Sequence, residues 1–197
     1  MLSSLIIIFR EILEAALIIG VLMAATRGLK DRGKFVFLGC TAGVIGACVL
    51  ALFTETLSNA IEGMGQELFN ASVLLLAAIM ISWHVVWMKR HAAEITKELK
   101  QLGKNVSEGR APLYVLSTVA FVSVLREGSE VVLFVYGLLA SGNAWAGVVS
   151  GGVLGLILGC LAGVLLYLGL LKIPMGSLFS VTGFILIFLT AGMVSRA

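Results

Sequence analysis

The sequence predicts an all-α polytopic membrane protein, a helical bundle of six spans built as two inverted three-helix repeats. Three observations predict it. Of 197 residues, 59% are hydrophobic and 13% charged, and the mean hydropathy is +1.07, far from the balance of a soluble domain. Six apolar stretches are each long enough to cross a bilayer core of ~30 Å as a helix. A charged pentapeptide in the first stretch, Arg10-Glu11-Ile12-Leu13-Glu14, returns in the fourth as Arg126-Glu127-Gly128-Ser129-Glu130.

The apolar stretches run over residues 2–25, 35–57, 69–88, 113–139, 145–171 and 175–194. The first lacks a charged leader and is too long for a signal core, so it reads as a retained helix. Pro112 and Pro174 fall at span boundaries, where a helix can start. Lys and Arg set the orientation. The 27–34 loop carries four of them and the 89–110 loop six; none lies between spans two and three or between spans four and five. The positive-inside rule places both basic loops in the cytoplasm and the N-terminus outside. Lys172, after span five, agrees.

Within residues 89–111, Ala92, Ile95, Leu99 and Leu102 recur at helical spacing and Gly103 supplies a stop. This predicts an amphipathic helix on the inner membrane surface, linking a first repeat (1–88) to a second (112–197). Cys40, Cys48 and Cys160 lie in apolar stretches and are odd in number, which reads as free thiols.

The repeat is visible residue by residue. An offset of 116 relates the two charged motifs. The same offset relates Gly39, Gly43 and Ala47 in span two to Gly155, Gly159 and Gly163 in span five. Small residues at this spacing let helices approach closely in lipid. The third spans match more weakly, Leu68-Phe69-Asn70 against Leu178-Phe179-Ser180. A unit of three crossings places its second copy upside down, a transporter architecture with its site at the repeat interface.

The motif lies about ten residues into its span, ~15 Å deep at a rise of ~1.5 Å per residue. A charge at that depth costs roughly 2.5–3.5 kcal/mol on insertion scales, so three cost about 8–10 kcal/mol unless compensated. On a helix Glu11 and Glu14 share a face, as do Glu127 and Glu130; Arg10 reaches Glu14 and Arg126 reaches Glu130 at i+4. If the inverted halves meet, four carboxylates converge beside two guanidiniums. Such an oxygen donor set suits a hard cation such as iron, manganese, magnesium or calcium. The arginines then balance charge, and an entering metal competes with them for Glu14 and Glu130. Arg10→Ala and Arg126→Ala are expected to slow turnover more than they weaken metal binding. The plainer reading is a pair of buried salt bridges between helices, but those do not require two glutamates each.

The paired Arg-Glu-x-x-Glu motifs in spans one and four resemble those of the oxidase-dependent iron transporter family, the fungal high-affinity iron permeases and bacterial EfeU-type permeases. The resemblance covers most of the chain. It includes Gly65-Gln66-Glu67-Leu68-Phe69, Trp87 and the phenylalanine- and glycine-rich sixth span. It implies an iron permease in a bacterial inner (plasma) membrane and not an enzyme. Glu11, Glu14, Glu127 and Glu130 would carry the metal, with Arg10 and Arg126 as motif partners. It implies iron as transported substrate with no bound organic cofactor, and an extracytoplasmic oxidase or iron-binding protein as partner, beside membrane lipid. The family's usual seventh span is not found before Ala197.

Other polar residues carry weaker signals. Glu55, Glu62 and Glu67 could gather cations at the outer mouth by electrostatic steering, or be a solvated acidic loop. Met64 reads as packing, His84 as a hydrogen-bonded structural residue more than a ligand, and His91 as an inner-surface residue. Asn70, Ser72 and Thr182 can bond between helices. Nothing resembles a phosphate loop, which argues against ATP coupling in this chain, and no basic groove with interleaved aromatics suits nucleic acid. Three alternatives remain: another divalent cation or protons as cargo, a glutamate-type intramembrane protease, and a structural membrane subunit. Competition of iron uptake by manganese, zinc and lead separates the first.

Overall fold

The computed structural model describes residues 1–60 and 66–169. Among them are five helices and no strand: α1 (Leu2–Ala25), α2 (Arg32–Ala60), α3 (Gln66–Ser107), α4 (Tyr114–Ala140) and α5 (Trp145–Tyr167). The expected sixth span, 175–194, lies outside the described residues. α2 and α5 each contain a segment long and apolar enough to cross a membrane, Arg32–Thr54 and Trp145–Tyr167. A helix is the natural form for such segments, because it satisfies its own backbone polar groups where no water can.

α3 departs from expectation. The third span and the linker form one unbroken helix of 42 residues, ~63 Å long or about twice a bilayer core. No separate surface-lying helix breaks away. Gly103 does not stop the helix: it is buried against α1, where an added Cβ would run into the Ala25 Cβ. Leu99 and Val106 are buried too. Val106 joins Leu22, Val36, Leu116 and Ala120 in one apolar cluster, with Leu102 packed against it. The end of the apolar stripe that suggested a membrane-surface helix, at Leu102, packs against other helices.

The bundle is cross-paired between its halves. α5 lies parallel to α1: Gly151 abuts Met1 and Ser4, Gly155 abuts Leu5 and Phe9, Gly159 abuts Ile12, and Gly163 abuts Ala16. α2 lies parallel to α4 in the same manner, with Gly39 at Ser117 and Ala120, Gly43 at Phe121 and Val124, and Gly46 at Leu125. α1 and α4 run antiparallel, since Ile7 packs with Phe134 and Leu138 at one end while Leu22 packs with Leu116 and Ala120 at the other. Each motif helix is thus backed by the glycine helix of the other half.

The contacts correct the register of the glycine ladder. Gly39 does for α4 what Gly151, not Gly155, does for α1. Gly43 matches Gly155, and Ala47, which meets Gly128, matches Gly159. The ladder therefore follows an offset of 112, one helical turn short of the 116 that relates the motifs.

Polarity is inverted relative to a water-soluble bundle. Arg10, Glu11 and Glu14 are among the largest fully buried side chains, while Phe37 and Phe53 on α2 and Ile157 and Leu161 on α5 are exposed. Apolar faces turned outward suit lipid, and the ionisable residues turn inward. The basic 27–34 loop and the C-terminal end of α3 meet at one end of the bundle: Arg32 Nη1 donates to the Met23 carbonyl at 2.9 Å, and Ser107 Oγ donates to the Ala25 carbonyl at 3.4 Å. The thiols of Cys40, Cys48 and Cys160 are free.

Candidate metal centre

The centre forms where α1 and α4 cross and α3 leans against both. α1 presents Arg10, Glu11 and Glu14, all buried. Arg10 Nη1 donates to Glu11 Oε1 at 2.8 Å, and Nη2 lies 2.8 Å from Glu14 Oε1. One guanidinium thus serves both carboxylates of its motif, the pairing that the i, i+4 spacing allows. α4 presents Glu127 and Glu130, also buried. Its arginine behaves differently. Arg126 Nε is 3.5 Å from Glu130 Oε1, and the side chain is 42% exposed against 2% for Arg10. Its guanidinium lies over the Trp87 ring, 4.8 Å from the centroid, a favourable placement for a cation.

α3 supplies the residue that joins the halves. His84 is buried, with Nε2 3.0 Å from Glu14 Oε2 and Nδ1 2.9 Å from Glu130 Oε1. Arg126 Nη2 is 3.3 Å from the same Nδ1. One imidazole thereby bridges a glutamate of each motif. Trp87, one turn further along α3, stacks on His91 with centroids 4.9 Å apart.

The structure brings together all six motif residues proposed from sequence, but not as four equal carboxylates. Ligand-capable atoms of Glu11, His84, Glu127 and Glu130 all lie within 4.8 Å of one another, and Glu14 stands outside that group. Glu11 Oε2, Glu14 Oε1, Glu127 Oε2 and Glu130 Oε2 are buried with no hydrogen-bond partner, though Glu14 Oε1 lies at ion-pair distance, 2.8 Å, from Arg10 Nη2. Unpartnered buried carboxylate oxygens are costly and need a proton, a donor or a cation. Glu11, Glu127 and Glu130, each holding one such oxygen, converge with an imidazole in a donor set that a divalent metal can satisfy.

His84, read from sequence as a hydrogen-bonded structural residue, is hydrogen-bonded to Glu14 and also stands among the converging ligand-capable residues. Its signal was a single histidine in an apolar span one turn from Trp87, at roughly the depth of the motifs. The helix-packing glycines Gly39, Gly43, Gly155, Gly159 and Gly163 lie against α4 and α1 as described and do not touch the centre. The outer-mouth candidates lie outside the described residues: all of Glu62, and the side chains of Glu55 and Glu67.

The chain is 30% identical to the ferrous iron permease EfeU of Escherichia coli O6:H1 (strain CFT073), over 97% of this chain and 70% of that relative. It is 29% identical to the proteins of that name from Yersinia pestis and Yersinia pseudotuberculosis serotype I, over 97% of this chain and 68% of each. No solved structure matches it. Residues 1–197 match the iron permease FTR1 family from end to end, and the chain belongs to that family, a family of permeases and not of enzymes.

Proposed function

We propose that this protein carries ferrous iron across the membrane through the carboxylate centre built by its two Arg-Glu-x-x-Glu motifs. The observation that carries the reading is the convergence of ligand atoms from Glu11, Glu127 and Glu130, on antiparallel helices, with His84, each of these glutamates also holding one buried oxygen with no hydrogen-bond partner. Charge favours a divalent cargo. Glu11, Glu14, Glu127 and Glu130 with Arg10 and Arg126 sum to two negative charges when ionised, which one ferrous ion neutralises. The named relatives are ferrous iron permeases.

In this reading the centre lies near the bilayer midplane and the N-terminus faces outside. The basic 27–34 loop and the basic C-terminal end of α3, together at one end of the bundle, support that orientation. Iron arrives from the exterior, where an oxidase or iron-binding protein would hand it over, and leaves toward the basic end in the cytoplasm. Arg10 and Arg126 keep the carboxylates charge-balanced between ions and yield to the metal as it binds.

Radioiron uptake into cells or sealed vesicles tests this, with protein level in the membrane as control. Glu11→Gln and Glu127→Gln are each expected to abolish uptake. Wild-type uptake by either variant would refute the shared centre.

A further inference from the structure

We infer that the cation is held by Glu11, Glu127, Glu130 and His84, and that Glu14 orients His84 instead of binding the metal. This rests on the iron-permease reading above and divides labour among its residues.

Glu14 is already engaged at both oxygens: Oε1 is at ion-pair distance from Arg10 Nη2, 2.8 Å, and Oε2 lies 3.0 Å from His84 Nε2. Although Oε1 is not aligned for a hydrogen bond, it faces the guanidinium and stands apart from the group of converging ligand atoms. Each of the other three glutamates keeps one buried oxygen with no partner.

The imidazole completes the argument. A guanidinium only donates hydrogen bonds, and Arg126 Nη2 stands 3.3 Å from Nδ1, so in the neutral ring it is Nε2, facing the Glu14 carboxylate, that carries the hydrogen. Nδ1 then holds the lone pair. It faces Glu130 Oε1 at 2.9 Å, acceptor against acceptor, a contact that needs positive charge beside it. Here Arg126 supplies that charge, with Nη2 3.3 Å from Nδ1 and Nε 3.5 Å from Glu130 Oε1. A metal ion satisfies the same two atoms and Glu11 and Glu127 as well. Arg126 can yield, because it is partly exposed and rests on Trp87. Glu14–His84–metal is then the arrangement in which a carboxylate fixes the tautomer and angle of a ligating histidine.

The consequence is selectivity. One imidazole among three carboxylates favours borderline ions such as iron(II) and manganese(II) over calcium and magnesium, which prefer oxygen alone. His84 is thus a specificity-determining ligand, and Glu14 a positioning residue.

Pulsed electron paramagnetic resonance of the full chain in detergent, loaded with Mn²⁺ as the probe, tests this directly. Bound Mn²⁺ should show nitrogen modulation from a coordinated imidazole. Glu14→Gln keeps an acceptor oxygen for Nε2, so it should retain that signal and bind Mn²⁺ within about tenfold of wild type, at or below the usual loss for an outer-shell change. Glu127→Gln should lose at least about 100-fold, beyond that range. His84→Asp should bind Mn²⁺ without nitrogen modulation and shift preference toward Ca²⁺ by about tenfold or more, as an all-oxygen set requires. Wild-type protein with bound Mn²⁺ but no nitrogen modulation overturns the inference while leaving the carboxylate centre standing. So does Glu14→Gln losing Mn²⁺ as completely as Glu127→Gln. Wild-type affinity in both Glu11→Gln and Glu127→Gln overturns the inference and the proposed centre together.

Discussion

Adding a single methyl group at Gly155 should damage a site it does not touch. Gly155 is buried in α5 against α1, and a Cβ there would sit 2.6 Å from the Leu5 carbonyl oxygen and 3.0 Å from the Phe9 amide nitrogen. Both are backbone atoms, so no side-chain rotation relieves the clash. Restoring an ordinary C···O contact of about 3.3–3.6 Å requires the helices to part by close to 1 Å, or α1 to deform over the turn that precedes Arg10. Overpacking of this kind costs about 1–3 kcal/mol. A displacement of about 1 Å in positioned groups can lower a rate by two orders of magnitude. Gly155→Ala is therefore expected to lower the melting temperature in detergent and to reduce the initial rate of iron uptake at least tenfold. Gly33→Ala is the control, because a Cβ there meets nothing within 4 Å; it should leave both unchanged. If Gly155→Ala matched Gly33→Ala in both assays, the claim that α5 sets the position of the α1 half-site would fail.

Three further predictions follow from the same contacts. Arg10→Ala strands two buried carboxylates and should destabilise by about 3–5 kcal/mol, whereas Arg126→Ala should cost less, because that arginine is partly exposed and pairs with one glutamate instead of two; equal melting-temperature losses would contradict this asymmetry. Trp87→Leu removes a cation–π contact worth about 0.5–2 kcal/mol and lets Arg126 settle on Glu130, so iron uptake should fall by about two- to tenfold. Trp87→Phe should lose less; equal losses in the two variants would count against the parking role. Gly103→Val should lower the melting temperature by overpacking against Ala25, about 1–3 kcal/mol, while a neutral result would return the end of α3 to the membrane surface.

What could be read in the sequence was what breaks a strong pattern. Arg10, Glu11 and Glu14 interrupt an apolar run, and their twins Arg126, Glu127 and Glu130 interrupt another, so both motifs and their meeting were legible. His84 was not, because a lone histidine has no repeat partner and its weight comes from bridging Glu14 and Glu130 across three helices. The unequal arginines were equally hidden: identical spacing in the two motifs cannot show that Trp87 draws Arg126 aside. The continuity of α3 was obscured by Lys89 and Arg90, which mark a membrane boundary by charge without ending a helix. The ladder misled for a geometric reason. Small residues spaced one turn apart map onto themselves when shifted by a turn, so Gly39 could be matched to Gly155 or to Gly151 until contacts with Ser117 and Met1 decided it.

Anomalous diffraction from crystals of the iron-loaded protein, collected at the iron absorption edge, bears most directly on the shared centre. The account predicts one strong peak per chain, within about 2.6 Å of carboxylate oxygens from both α1 and α4, a generous limit for oxygen ligation of a divalent ion. Two separate peaks, one beside each motif, or a single peak bound by one helix alone, would contradict it.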